Sequence, residues 1–356
     1  MIILYTVFIF ITTGYLLQLF NIIGNNVQEK LFLLIAAYVL ILLAGLNTTS
    51  NDYREYIDMF KLASILPLEQ YDKIHGEFFF LAISGVIYNL FGTHESVFLL
   101  ISTISIVVTF YIIFKDSKLA FLSVLIYLSH AFLNKEMIQI RAGITSAIIL
   151  VAISMQSKNE KWRPLLLIFI SSLFHTSGLI AIIPYFLCRF INISKQVKFS
   201  CILITLACTF YFLDGFKLSI PILQSFGLLS NSVQNYLVWD EYNYDLGFLN
   251  PNTIKQLIVL LFAAYYFREN KFYATYYCYF YIGVCWLIAF SSTAIIAARV
   301  SSILSVSELI LIPAIVLNAK KNQTIVGVFF LLLYFSMFII NIEYKEIIKN
   351  IEFGVF

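Results

Sequence analysis

The chain has 356 residues, 61% of them hydrophobic and 12% charged, about half the charged share of a soluble domain. Such a composition cannot cover a globule with polar surface, which excludes a water-soluble fold and leaves a membrane protein. The formal net charge of +3 is too small to suggest nucleic acid as a partner.

In chain order, the opening run MIILYTVFIFITTGYLLQLF has no basic leader and reads as a first membrane helix, not a cleavable signal peptide. Apolar runs broken by short polar segments place candidate spans at 2–20, 31–46, 97–114, 119–133, 142–156, 164–174, 177–191, 199–213, 253–267, 272–290, 300–317 and 324–340. The expected fold is an all-α polytopic membrane protein of about 12 transmembrane helices (11–13). It forms a single integral membrane domain over 1–356, with outer loops at 47–96 and 214–252. The five cysteines, Cys188, Cys201, Cys208, Cys278 and Cys285, lie in or beside apolar runs without a CxxC pair and read as packing residues.

Two segments need a different reading. The apolar stretch 164–191 is interrupted by Phe174-His175-Thr176-Ser177-Gly178. Its first arm, 164–174, rises only about 16 Å, half a hydrocarbon core, so a broken helix is expected near 174–178. Such breaks occur in membranes where they line an enclosed or watery cavity. The second segment, EFFFLAISGVIYNLFG at 77–92, either crosses or lies at the interface.

Placement of Lys and Arg orients the chain. If 77–92 does not fully cross and the N-terminus is outside, the inside loops are 21–30, 115–118, 157–163, 189–198, 268–271 and 318–323. These are short and basic, as in SKNEKWR, whereas the outer loops are long and acidic. If 77–92 does cross, the first two helices and the 47–76 loop invert, and everything after residue 97 is unchanged.

Several motifs gather on the outer side. Asp52-Tyr53-Arg54-Glu55-Tyr56 follows a membrane helix, and Asp52, Tyr56 and Met59 share one helical face that can offer a carboxylate and a phenol to sugar hydroxyls. The plain alternative is a solvated interfacial helix. Glu77, after His75 and Gly76, precedes an apolar helix, where capping is the alternative. Arg141 opens the 142–156 helix, against its dipole, which points to an anionic partner; snorkelling is the alternative. His175 sits in the helix break, where an ionisable group is a functional candidate, against a hydrogen-bonded structural histidine. Arg299 lies in STAIIAARVSSILSVSE with Glu308 nine residues on. That spacing is about half a turn out of phase, so Arg299 needs another anion, a lipid headgroup being the bland candidate.

No Walker A, GxSxG, HExxH or dinucleotide-binding glycine pattern occurs, nor an Asp-x-Asp pair. Any donor must therefore reach the outer face already activated and in a lipid phase.

Asp52-Tyr53-x-x-Tyr56, Glu77 before FFFL, Ile140-Arg141 leading into a small-residue helix, the loop SKNEKWR, Phe174-His175-Thr176-Ser177 and a late Arg299 opening a helix follow one another in an order that resembles the EpsG-like branch of the Wzy-type polysaccharide polymerases. The resemblance covers 47–191 well and the C-terminal third loosely. It implies a bacterial plasma-membrane enzyme, active at the periplasmic or exterior face, that joins oligosaccharide repeat units carried on undecaprenyl pyrophosphate into O-antigen, capsule or exopolysaccharide. The implied partners are the undecaprenyl-pyrophosphate-linked glycan, membrane lipid, and the flippase and chain-length regulator of the same pathway. No cofactor and no metal are called for. His175 and Asp52 are then the catalytic candidates; Arg141, Arg299, Tyr53, Tyr56 and Glu77 are the candidates for binding pyrophosphate or glycan. A transporter or flippase of a lipid-linked or anionic solute is the competing class, and an accessory subunit of a glycan assembly complex is a third.

Overall fold

The computed structural model describes residues 1–20, 27–225, 244–348 and 351–353. Parts of the first inside loop (21–26) and of the second outer loop (226–243) lie outside the described residues.

The described residues form helices joined by short turns. In order these are α1 (Ile2–Leu19), α2 (Val27–Gly45), α3 (Tyr53–Ile65), α4 (Phe78–Phe91), α5 (His94–Asp116), α6 (Ala120–Ile126), α7 (Ile140–Ser157) and α8 (Trp162–Ser172). They continue with α9 (Ile182–Phe190), α10 (Gln196–Phe212), α11 (Gly215–Ser225), α12 (Pro251–Tyr265), α13 (Lys271–Ala289), α14 (Ala294–Ser305), α15 (Glu308–Asn318) and α16 (Gln323–Ile339). Between α6 and α7 the helix widens into a π-helix, Tyr127–Glu136, a form that recurs at functional sites.

The protein is a multi-pass membrane protein. Among the described residues seven helices are long and apolar enough to cross, and α14 with α15 makes an eighth as a pair bent by 56°, which does not confirm the expected count of about 12. The expected span 300–317 is therefore two helices, the first starting at Ala294. The expected spans 164–174 and 177–191 are short helices, as is α4, whose 14 residues reach about 21 Å. Hydropathy counts apolar runs; it does not say whether a run is long enough to traverse about 30 Å of hydrocarbon.

The segment 47–96 is not an open loop. Helices α3 and α4 pack as a hairpin, which Gly85 permits: a Cβ there would lie 2.5 Å from the Ala63 carbonyl oxygen. Tyr56, Met59, Phe60, Phe80 and Leu81 form with Phe98, Ile140, Ile144 and Phe174 a hydrophobic cluster distinct from the main core. The cleft described below lies against this cluster. In the main core, α7 and α13 are the most enclosed helices, 78% buried over the spanning window, against 17% for α10. Helix α13 buries five tyrosines and satisfies their hydroxyls inside the bundle. Tyr276 donates to Asp116 (2.8 Å) and Tyr279 to Gln156 (2.7 Å), as a membrane interior requires.

Contacts at the helix ends sort the loops onto two ends of the bundle. At one end Lys158 bonds Asp116 (2.7 Å), and Arg189 and Tyr185 both hold the Lys161 carbonyl (2.9 and 2.6 Å). At the other end Tyr5 meets Glu343, and Thr48 N–H donates to the Glu352 carbonyl (2.9 Å). The N-terminus, residues 47–49 and the C-terminal segment thus share one end. That arrangement is the one in which 77–92 does not fully cross.

Candidate functional site

Helix α8 leaves the Lys161 end and α9 returns to it, so the pair is a hairpin with His175 at its tip. The helix stops at Ser172 and resumes as a 3-10 turn at Thr176, which makes His175 the residue that caps the turn. Gly178 lets the second arm close on the first, because a Cβ there would lie 2.5 Å from Ser171 Oγ.

This tip opens into a cleft of about 960 Å³. Glu77, Arg141, His175 and Arg299 all line it, brought from four separate elements, with His75 and Phe79 beside them. Glu77 is the joint between them. It stands at the N-cap of α4 but makes no capping bond with its side chain. Instead Oε2 accepts from Arg141 Nη1 at 2.9 Å, and Oε1 accepts from the Thr176 backbone N–H at 3.0 Å and lies 3.4 Å from His175 Nδ1. Capping was the alternative reading of Glu77, and the carboxylate reaches across the cleft instead.

Arg141 is the second residue of α7. Its guanidinium carbon lies 5.8 Å from the Tyr56 ring and 5.9 Å from that of Phe80, so aromatic faces support it from beneath. One of its donors, Nε, is buried without a hydrogen-bond partner among the described residues. Arg299 comes from the middle of α14, not from the opening turn of a helix, and meets the cleft with Ile295, Ile296 and Val300.

The His175 imidazole has two competing neighbours at Nδ1. Ser177 N–H approaches at 3.4 Å and Ser177 Oγ at 3.2 Å, while Glu77 Oε1 is at 3.4 Å. A proton on Nδ1 points to Glu77 and leaves Nε2 with its lone pair; a lone pair on Nδ1 accepts from Ser177 and leaves Nε2 as a donor. Burial pushes the His175 pKa down to about 4, opposed by Glu77 and reinforced by Arg141, Arg299 and His75. The ring is therefore neutral at pH 7.

Asp52 stands half-buried at the N-cap of α3 and does not line the cleft. Its strongest positive neighbours are nonetheless Arg299 and then Arg141. Its pKa is raised, chiefly by burial and also by Glu55, against the opposing pull of these two arginines. Tyr56 lies under Arg141 and is buried. The structure does not bring Tyr53 to the cleft: its ring stacks on Phe98 at 5.1 Å and meets His94 edge-on at 5.8 Å.

Sequence reasoning missed a second polar group, sealed inside the bundle. Lys255 Nζ lies 3.0 Å from Glu308 Oε2, both side chains almost wholly buried, and Tyr334 donates to the same oxygen at 2.9 Å. Lys135 donates to Ser146 Oγ (2.7 Å) and to the Ser302 carbonyl (2.6 Å), one turn beyond Arg299. Glu136 accepts from Ser105 (2.7 Å). The available signal was a charge beside or inside an apolar run, which a membrane tolerates only with partners. Glu308 met that test; Lys135 stood just beyond the expected span 119–133 and Lys255 at the third residue of the expected span 253–267, and neither was singled out.

The model of the EpsG family matches residues 30–353. The chain is also similar to the amylovoran biosynthesis protein AmsC of Erwinia amylovora, 27% identical over 334 residues that cover 88% of this chain and 84% of that protein. No solved structure matches it. With a match over nearly its whole length, the chain belongs to the EpsG family.

Proposed function

We propose that the protein is a polysaccharide polymerase that joins lipid-linked oligosaccharide repeat units at the outer face of the bacterial plasma membrane, with polyprenyl pyrophosphate as the leaving group. The observation that carries this reading is the convergence of Arg141, Arg299, His175 and Glu77 on one cleft. Membership of the EpsG family and the likeness to a protein of exopolysaccharide biosynthesis support it.

In the proposed reaction a hydroxyl of the acceptor unit attacks the anomeric carbon that joins the growing chain to its lipid. A carbon–oxygen bond to the acceptor forms, the bond to the pyrophosphate oxygen breaks, and the acceptor proton must leave. Negative charge grows on the departing pyrophosphate. Two arginines at one cleft can neutralise it, because a guanidinium presents a planar fork to phosphate oxygens. Glu77 accepts from Nη1 of Arg141 and does not exhaust the donors of its fork.

His175 is the proposed acceptor of the proton, through Nε2, with Nδ1–H held by Glu77. A pKa near 4 would make a weak base. An anionic pyrophosphate in the cleft opposes the two arginines that help depress it, so the imidazole becomes more basic when substrate is bound. Asp52 is placed to balance the arginines before substrate arrives.

The bent pair α14–α15 and the α8–α9 hairpin are also features of transporters, so the test must separate polymerisation from flipping. Cells lacking the gene are complemented with wild type, Arg141→Ala or Arg299→Ala at matched membrane abundance. The expected result is long glycan chains only with wild type, while single repeat units still reach the surface in every strain. Loss of single units from the surface in the deletion strain would instead identify a flippase.

A further inference from the structure

At the end of the bundle opposite the cleft lies a second cavity, of about 680 Å³. The two are set apart by α7, which has Arg141 in its first turn and Lys158 just past its last residue. Its 18 residues span about 27 Å. The second cavity is lined by Arg189, Lys195 and Lys271 with Phe190 and Phe199, and no lining residue is acidic.

We propose that this cavity holds the phosphate of an anionic membrane lipid headgroup. Three cations drawn from three segments line one open pocket. Arg189 is fixed in place: its guanidinium lies 4.2 Å from the Tyr185 ring, and Nη2 donates to the Lys161 carbonyl at 2.9 Å. Its remaining donors are left for a ligand. Lys195 immediately precedes α10 and Lys271 opens α13, helices of 17 and 19 residues, so two positive helix ends reinforce the side chains.

The surroundings point to a lipid as the source of the phosphate. Phe190, which lines the pocket, is 80% exposed; Phe186, 41% exposed, stacks on it, and Trp162, 79% exposed, follows the residue whose carbonyl holds Arg189. Helix α10, which forms one wall, is only 17% buried and turns most of its apolar surface outward to lipid. A headgroup between basic side chains with acyl chains along exposed aromatic and aliphatic groups satisfies both parts. Basic residues that merely orient the chain in the membrane would need no shared cavity.

The test uses the full-length protein in a zwitterionic detergent, followed by thermal unfolding during titration with phosphatidylglycerol, phosphatidylcholine or inorganic phosphate. Phosphatidylglycerol should raise the midpoint and phosphatidylcholine should not. The double variant Lys195→Gln/Lys271→Gln should need on the order of tenfold more phosphatidylglycerol for the same effect. Lys195→Arg/Lys271→Arg should respond as wild type. The charge-matched variant Lys61→Gln/Lys217→Gln, at exposed lysines elsewhere, should also respond as wild type. A midpoint shift from inorganic phosphate equal to that from the lipid would assign the site to free phosphate instead of a headgroup. An unchanged phosphatidylglycerol response in the glutamine double variant would overturn the site. Should that variant not fold, native mass spectrometry of the wild type decides: retention of phosphatidylcholine as readily as phosphatidylglycerol overturns it as well.

Discussion

The charged or titratable side chains Glu77, Arg141, His175 and Arg299 line the cleft, and single substitutions test the roles proposed for them. Arg141→Ala should reduce polymer formation by roughly 100-fold or more, the usual cost of removing a group that stabilises developing negative charge. Arg141→Lys keeps the charge but loses the fork and should remain weak. Chain-length distributions at matched abundance check both. His175→Ala should leave an inserted protein that makes little polymer. His175→Gln keeps a hydrogen bond but no base, so normal chains from the glutamine variant would make His175 an orienting group. The pH profile gives an independent test. The folded pKa of about 4 lies below the ordinary 6.5, so acidification from pH 7 to 5.5 should leave the free enzyme's His175 neutral. Its contribution to stability is complete above pH 6.5 and is lost as pH falls towards 4, because the unfolded chain takes up the proton first. An acid limb of kcat/KM centred near 6.5 and absent in His175→Gln would contradict this. Asp52 has the opposite sign. Burial raises its pKa, so its charged form weighs against folding once pH rises above that value. Asp52→Asn should therefore leave thermal stability at pH 7 unchanged or higher while lowering polymer yield. A clear loss of stability would assign Asp52 a structural role instead.

At the level of elements, the bend between α14 and α15 separates the helix that carries Arg299 from the helix that Glu308 opens. The first half ends near Ser302, whose carbonyl accepts from Lys135, and the second half begins at Glu308, which Lys255 and Tyr334 hold. A cation at a helix C-terminus and an anion at a helix N-terminus both suit the dipoles of the two halves. Lys255→Met strands the Glu308 carboxylate in the interior and should cost roughly 3–5 kcal/mol of stability. Lys255→Met/Glu308→Met removes both charges and should recover much of that loss, measured by thermal unfolding in detergent. A double variant as unstable as the single one would show that the pair is not coupled. The sequence allowed only half of this bend to be read. Glu308 stood out as a charge in an apolar run, and its nine-residue distance from Arg299 already argued against pairing. Its true partner is 53 residues away, and no local periodicity reports such a contact. The break at His175 was legible because a single stretch, 164–191, was too long for one span and too short for two. The two helices of the α3–α4 hairpin were each legible, one from the shared face of Asp52, Tyr56 and Met59 and the other from the apolar run 77–92. Their packing against each other was not, because it rests on contacts such as Gly85 against Ala63 that no local periodicity reports.

For the molecule as a whole, helix–helix contacts fix which loops lie together, and the distribution of charge proposes which side each end faces. Asp116, Lys158, Lys161 and Arg189 meet at one end, as the short basic loops require. Glu77, Arg141 and His175 meet at the other, and Asp52 feels Arg141 and Arg299 there. The sequence brought those loops to common ends because a bilayer leaves each crossing helix only two sides on which to turn. It did not find the Lys255–Glu308 group, which lies between the ends. The proposed absolute orientation puts the basic end in the cytoplasm, and it can be tested directly. In a background with all five cysteines replaced, Tyr244→Cys, Trp162→Cys and Lys321→Cys put single thiols on exposed positions in three connecting segments. Tyr244 belongs to the segment that bonds the α13–α14 turn through the backbone of Ala294, next to the helix that carries Arg299. It should react with a membrane-impermeant maleimide on intact cells. Trp162 opens the α8–α9 hairpin at the Lys158 end, and Lys321 lies in the basic turn before α16. Both should react only after the cells are permeabilised. The reverse pattern would place the cleft in the cytoplasm, where a lipid-linked glycan delivered to the outer leaflet could not reach Arg141 and Arg299. The polymerisation reading would then fail, whatever the arginine variants do.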